Sequence, residues 1–153
     1  DPVSSILVGT LDEAGLNPTW SQNISSVIWR KLLINVAINP VCAIAGARNG
    51  ALVEVPELWA QSLEAMREAE SVARASGVDL AGLDTEEYLR KVVENTADNR
   101  VSMLQDLMAG RKTEVEVLCG AVVSKGEELG IPTPRNEILL ALVRGIEMSQ
   151  HFD

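Results

Sequence analysis

The chain has 153 residues, of which 46% are hydrophobic, so it has the length of about one domain and enough apolar content for a core. Its 22 Asp and Glu residues outnumber 13 Lys and Arg residues, and the basic residues are scattered, which argues against nucleic-acid binding. No strand pattern or internal repeat is present in the sequence, so residues 1–153 are interpreted as one all-α domain.

The cysteines and the lone histidine give little sign of redox or metal chemistry. Cys42 and Cys119 lie in apolar segments without metal-ligand spacing, so we expect reduced thiols in the core of a cytoplasmic protein. His151 stands in the C-terminal tail, with no partner that would indicate catalysis. No signal peptide begins the chain, and two asparagines and a proline interrupt the longest apolar run, which argues against a membrane span.

Two helices are predicted in the first fifty residues. The first runs from Pro2 to about Ala14, with apolar residues spaced for one face: Val3, Ile6, Leu7 and Leu11. The second is long and apolar and ends at the turn 46–50. Pro40 inside it removes a backbone donor and predicts either a kink or a division into two helices near Asn39.

Further helices are predicted at residues 56–76, from residue 85 to between 96 and 99, from 113 to 129, and at 135–149. Asp84 or Thr85 caps the second of these, and two pairs have capping-box spacing: Ser102 with Gln105, and Thr113 with Glu116. The predicted helix 56–76 carries a mostly solvated charged face made of Glu64, Arg67, Glu68, Glu70 and Arg74. The last has an inward face made of Ile138, Leu139, Leu142, Val143 and Ile146.

A polar stripe interrupts the long apolar helix. Lys31, Asn35 and Asn39 stand at i, i+4 and i+8, which places their side chains on one face. A lysine inside a buried helix must find partners or lose its proton. Two interpretations stay open: Lys31 extends its ammonium to water while the asparagines bond neighbouring backbone, or the three form a polar wall for a small anionic or carbonyl ligand.

Two blocks of sequence resemble a known family. The first contains Trp29-Arg-Lys-Leu, Asn35, Ile38-Asn39-Pro40 and Asn49-Gly50, and the second contains Asn99, Ser102-Met-Leu-Gln-Asp106 and Thr113-Glu114. In order and separation they resemble the C-terminal domain of ketopantoate reductases (2-dehydropantoate 2-reductases), over nearly the whole chain. The resemblance implies an all-α, multi-helix domain of the ketopantoate reductase and 6-phosphogluconate dehydrogenase C-terminal-like type.

The resemblance also implies roles for single residues. Lys31 is similar to the catalytic general acid that protonates the ketone oxygen of the substrate, and Glu114 to a glutamate that organises the site near the lysine and the nicotinamide. Five residues match the substrate-binding set: Asn35, Asn39, Asn49, Asn99 and Ser102. Simpler explanations exist for Asn49 in an ordinary Asn-Gly turn and for Glu114 in a first helical turn favoured by the helix dipole.

The implied activity is NADPH-dependent reduction of ketopantoate to pantoate, in pantothenate biosynthesis. The chain has no G-x-G-x-x-G turn after a strand-like run, so we expect NADPH to be held mainly by an N-terminal Rossmann domain of the same polypeptide, without which this chain is inactive. The apolar helices allow a homodimer without requiring one. Two alternatives are a paralogous reductase of another 2-oxo acid and a non-catalytic helical interaction module.

Overall fold

The computed structural model describes residues 2–18 and 23–149, and every regular element within them is helical, which confirms the all-α prediction. His151 lies outside the described residues. The elements in chain order are α1 (Pro2–Glu13), α2 (Ile24–Ala45), α3 (Ala51–Glu54), α4 (Pro56–Ala75), α5 (Thr85–Asn95), α6 (Ser102–Met108), a π-helical turn (Glu116–Gly120), α7 (Ala121–Leu129) and α8 (Pro134–Ser149).

The central element is α2, which packs against α4, α6 and α8. By length and composition α2 could cross a membrane, with a mean hydropathy of 1.5 over its most apolar stretch. Its apolar residues instead build the core of the domain: Leu33, Val36, Ala37, Ile38, Val41, Cys42 and Ala43 are buried. Burial of this surface is the main force that assembles the other helices around α2.

Specific residues set the ends of α2. The Asn23 side chain accepts a hydrogen bond from the Ser26 N–H at 3.1 Å, which caps the first turn. At the other end Gly46 has a φ of 62°, the left-handed conformation in which glycine avoids a Cβ clash. The division at Pro40 is a wrong prediction, because α2 continues through this buried proline to Ala45. Packing of the surrounding core offsets the lost backbone hydrogen bond.

One glutamate of α4 joins that helix to α8. The Glu68 carboxylate accepts hydrogen bonds from the N–H groups of Arg135 and Asn136 at 2.9 and 3.0 Å, and from the Asn136 side chain at 2.8 Å. Asn136 is fully buried and also donates to the Ala65 carbonyl at 3.1 Å. Glu68 was predicted to belong to a solvated face. It instead caps α8, because the first N–H groups of a helix lack partners within it.

The structure corrects three further details. Ile138 and Leu142 of α8 were predicted to face inward but are 52% and 49% exposed, whereas Leu139 and Val143 are buried as predicted. The short helix α3 was not predicted. The apolar face of α1 does form, but most of it is exposed to solvent: Val3, Ile6 and Leu7. The Asp84 cap is confirmed, since its carboxylate accepts from the Glu87 N–H at 2.9 Å.

Both cysteines are free thiols in the core, as predicted. Burial raises the pKa of Cys42 and of Cys119 from an ordinary value of 9.0 to about 12. The thiolate is the reactive form of cysteine. These side chains therefore pack as small apolar groups.

Replacing Glu68 by alanine is expected to lower the free energy of unfolding by about 2 kcal/mol, because three donors at the start of α8 lose a charged acceptor. Urea denaturation followed by circular dichroism measures the change. Glu64→Ala is the matched control one turn earlier on α4, where the exposed pair with Arg67 contributes at most about 0.5 kcal/mol. Equal losses in the two variants would contradict the capping role.

At pH 8 the folded chain is expected to leave Cys42 and Cys119 unmodified by iodoacetamide over hours, because a thiol with a pKa of about 12 is almost never ionised there. Addition of urea should make both react at the rate of a free cysteine. Mass spectrometry counts the labels. Rapid labelling of the native protein would show that the thiols are reached without unfolding.

Candidate functional site

Lys31 lies beside an open groove between α2 and α5. The Lys31 side chain is exposed, and the groove has a volume of about 340 Å³. Six residues line it: Val27, Arg30, Lys31, Ile34, Tyr88 and Val92. A largely apolar groove of this size with cationic groups at its side suits a small organic acid.

The sequence left the exposure of Lys31 open between two interpretations, and the structure places its side chain in water. Leu33 and Val36 enter the core, whereas Lys31 faces water in the manner of the first interpretation of the stripe. Within residues 2–18 and 23–149, Lys31 has no carboxylate partner, and Glu114 does not contact it as an ion pair. The ammonium is therefore left available to a ligand.

The two asparagines of the stripe continue from Lys31 along α2. Because α2 is one continuous helix, Lys31, Asn35 and Asn39 share a face, as the spacing predicted. Asn35 and Asn39 are half-buried, and neither side-chain amide bonds to another described residue. Both amides therefore keep their donors and acceptors free for an incoming polar molecule.

Hydrogen bonds bring the turn before α3 against the segment after α5. The Asn49 N–H donates to the Asn99 carbonyl at 3.0 Å, and the Gly50 N–H donates to the Ala97 carbonyl at 2.8 Å. The Asn49 side chain donates from Nδ2 to Thr96 Oγ1 at 2.9 Å. Two of the predicted site residues, Asn49 and Asn99, are thus brought together through the backbone, with Asn49 buried and Asn99 exposed.

Ser102 is the first residue of α6, and its side chain is exposed. The capping box predicted for Ser102 and Gln105 is wrong. The cap position is occupied by Val101, and Gln105 Nε2 donates to the Arg100 carbonyl at 3.1 Å. Since Ser102 stands one residue inside the helix, its hydroxyl does not act as a cap. Ser102 lies three residues after Asn99, on a helix that packs against α2, and its hydroxyl is exposed.

Residues on either side of Glu114 in the sequence form hydrogen bonds with α8. The Thr113 N–H donates to the Glu147 carboxylate at 2.7 Å. Arg144 donates to both carboxylate oxygens of Glu116, at 2.7 and 2.8 Å. Glu114 itself is exposed and has no hydrogen-bonding side-chain partner among the described residues.

These contacts show that the capping box predicted for Thr113 and Glu116 is wrong. Glu116 turns to Arg144, whose hydrogen bonds lower the pKa of the Glu116 carboxyl, and Thr113 Oγ1 accepts from the Val115 N–H at 3.2 Å. The next turn is π-helical, with the Gly120 N–H donating to the Val115 carbonyl at 3.0 Å. Single π-helical turns often occur at functional sites.

Sequence reasoning missed part of the groove. Tyr88 and Val92 of α5 line it beside Lys31, and Arg30 adds a second cation. Tyr88 and Val92 stand at i and i+4 on α5 and so share one helical face, but this spacing does not predict which helix that face contacts.

Among the described residues no three His, Cys, Asp or Glu side chains are grouped as a metal ion would require.

Residues 23–147 match the family model described as "Ketopantoate reductase PanE/ApbA C terminal". The chain belongs to this family. Among relatives named 2-dehydropantoate 2-reductase, the protein of Archaeoglobus fulgidus is 42% identical over 94% of this chain, and that of Vibrio cholerae is 37% identical over 86%. The family's C-terminal helical domain is thus the fold described above.

Solved structures agree with this assignment. The ketopantoate reductase of Ralstonia eutropha JMP134 is 36% identical, with a TM-score of 0.91 over 96% of this chain. A D-mandelate dehydrogenase in complex with NADH and anilino(oxo)acetate is 27% identical, with a TM-score of 0.87 over 99%. The chain spans about half the length of these proteins, 48% and 44% of the two relatives and 49% and 50% of the two structures.

Replacing Gly50 by alanine is expected to lower the free energy of unfolding by about 1–3 kcal/mol. A Cβ at this position would meet the Ala97 carbonyl oxygen at 3.1 Å and the Ala97 Cβ at 3.2 Å, and would also meet the Arg48 side chain. Thermal unfolding measures the change.

Gly145→Ala is the control, because a Cβ there meets nothing within 4 Å and the residue is inside α8. It should raise stability by about 0.5–1 kcal/mol, since alanine favours a helix interior over glycine. If Gly50→Ala were as stable as Gly145→Ala, the close approach of residues 50 and 97 would not constrain the turn.

Proposed function

We propose that this chain is the catalytic, substrate-binding domain of an NADPH-dependent reductase that converts ketopantoate to pantoate in pantothenate biosynthesis. The observation that carries the proposal is the ammonium of Lys31, which has no ion-pair partner among residues 2–18 and 23–149 and lies beside a groove, on the same helix face as Asn35 and Asn39. Membership of the ketopantoate reductase family supports the choice of reaction.

Lys31 would act as the general acid. Reduction of a ketone places negative charge on its oxygen, and a cationic donor that already points there stabilises this charge and delivers the proton. Because Lys31 is exposed here, the surroundings that exclude water from it would have to come from a second domain and the substrate. We infer that the active cleft lies between this domain and a Rossmann domain of the same polypeptide.

The neutral polar groups would orient the substrate. Asn35 and Asn39 lie about one and two turns after Lys31 on α2, and their amides have no partner among the described residues. Asn99 and Ser102 have exposed side chains, the first three residues before α6 and the second at its start. Amides and hydroxyls bind hydroxyl, ketone and carboxylate groups without adding charge that would have to be desolvated. The resemblance also implies substrate binding by Asn49, but its Nδ2 donates to Thr96 Oγ1, so we leave Asn49 out of the set that contacts the substrate.

Glu114 is proposed to contact the nicotinamide end of the cofactor. Its exposed carboxylate, on a segment that Thr113 and Glu116 attach to α8, can accept hydrogen bonds from hydroxyl or amide groups but cannot bind a pyrophosphate. When bound, NADPH supplies the hydride for the reaction. No strand that could carry a phosphate-binding turn occurs in the described residues, so the phosphates would be held by the Rossmann domain.

A second candidate function is reduction of a different 2-oxo acid. The D-mandelate dehydrogenase shares this fold at 27% identity and was solved with NADH, so the same framework supports another substrate and cofactor. Comparing ketopantoate with phenylglyoxylate, and NADPH with NADH, separates the two candidates. A homodimer and a cytoplasmic location remain predictions for the whole protein.

Lys31→Ala, in the polypeptide extended to include its cofactor domain, is expected to lose roughly 10²-fold to 10⁴-fold in kcat, because the proton donor is removed. The decrease in NADPH absorbance in the presence of ketopantoate measures turnover. Lys91→Ala is the control, since this exposed lysine pairs with Glu87 on α5 and does not line the groove beside Lys31.

Full turnover of Lys31→Ala would contradict the assignment of the general acid. An extended protein that binds NADPH but reduces only another 2-oxo acid would favour the second candidate. An extended protein with no affinity for a nicotinamide cofactor would support the non-catalytic interaction module instead.

A further inference from the structure

The side chain of Asn49 is buried and directed toward Thr96. The residue is 7% exposed, and its Nδ2 donates to Thr96 Oγ1 at 2.9 Å. The Thr96 hydroxyl donates its own proton to the Val92 carbonyl at 2.7 Å, so its oxygen has to accept from Asn49. The other amide atom, Oδ1, is enclosed and has no partner among the described residues. The enclosed Oδ1 is therefore closed to a substrate, and Nδ2 is directed to Thr96.

The turn 48–50 holds the segment 96–99 by several contacts. Besides the side-chain contact, two backbone bonds cross from Asn49 and Gly50 to the carbonyls of Asn99 and Ala97. Arg48 Nη1 also donates to the Ala97 carbonyl at 3.4 Å. The segment leaves α5 at Thr96 and carries Asn99, three residues before Ser102.

We propose that Asn49 and Thr96 are positioning residues, which hold the turn 96–99 so that Asn99 and Ser102 meet the substrate. This inference rests on the proposed function for the roles of Asn99 and Ser102. It differs from the resemblance in the role of Asn49, which acts through Thr96 and does not touch the substrate.

Thr96→Val tests the inference because it keeps the shape of the side chain and removes the acceptor for Asn49. Asn49→Ala removes the donor, and the double variant removes both. Ser76→Ala is the matched control: Ser76 also caps a helix C-terminus and donates to the carbonyl four residues earlier, at 2.8 Å, but accepts nothing from an asparagine. All are made in the polypeptide extended to include its cofactor domain.

Kinetics with ketopantoate and NADPH give the first measurement. Thr96→Val and Asn49→Ala should each raise KM for ketopantoate about tenfold and leave kcat within about twofold, because Lys31 on α2 is untouched. The double variant should be no worse than either single variant, since both break one contact. An unchanged KM in Thr96→Val beside a raised KM in Asn49→Ala would overturn the inference and make Asn49 a direct substrate contact.

Hydrogen exchange of the peptide 96–102 gives a second measurement that does not depend on activity. Exchange should become faster in Thr96→Val and Asn49→Ala but stay at the wild-type rate in Ser76→Ala. Unchanged exchange in all three variants would overturn the inference. If the unmodified protein did not reduce ketopantoate but the variants showed the expected exchange, the proposed function would be wrong. The inference that Asn49 and Thr96 hold the turn 96–99 would then still be supported.

Discussion

Burial of α2 is the constraint on which the rest of the structure depends. This helix is apolar around most of its circumference, so it has to be covered by α4, α6 and α8 at once. Its covering also fixes the directions of the polar residues that break the apolar pattern. Once Leu33 and Val36 enter the core, the face with Lys31, Asn35 and Asn39 is set by helix geometry alone.

The other proposed site residues lie on segments that meet near the ends of helices. The turn 48–50 holds the segment after α5, and two residues of α8 hold the segment that carries Glu114. Both holds use hydrogen bonds between residues far apart in sequence. The core therefore fixes the stripe on α2, while polar contacts between loops and helices fix the other proposed residues.

The sequence was sufficient to predict the helices with regular apolar spacing and clear ends. Gly46 predicted the C-terminal end of α2, because glycine readily adopts the left-handed conformation at this position. Pro56 predicted the start of α4, because proline is favoured in the first turn of a helix. Local patterns failed where a distant residue competes for the same groups. Glu116 had the spacing of a capping box but pairs with Arg144, which is 28 positions away.

Tertiary packing also decided which apolar and polar residues are exposed. The sequence shows that Ile138 and Leu139 are both apolar, but only the packing of α8 on its neighbours leaves the first exposed and buries the second. The spacing predicted that Lys31 shares a helix face with Asn35 and Asn39, but the exposure of Lys31 depends on what covers the start of α2. The side-chain direction of Asn49 could not be predicted, since Thr96 lies 47 positions away.

The π-helical turn has a consequence for the register of the chain around Glu114. A π-helical turn contains about one residue more than an α-helical turn. The side chains before the turn are therefore rotated about the helix axis by about 100° relative to those of α7. The buried face of α7, with Val122 and Gly126, is anchored in the core and cannot rotate. Loss of one residue from this turn would therefore change the direction of Glu114 relative to the buried face of α7 by about 100°. The extra residue therefore sets the direction of the Glu114 side chain relative to the buried residues Val122 and Gly126 of α7.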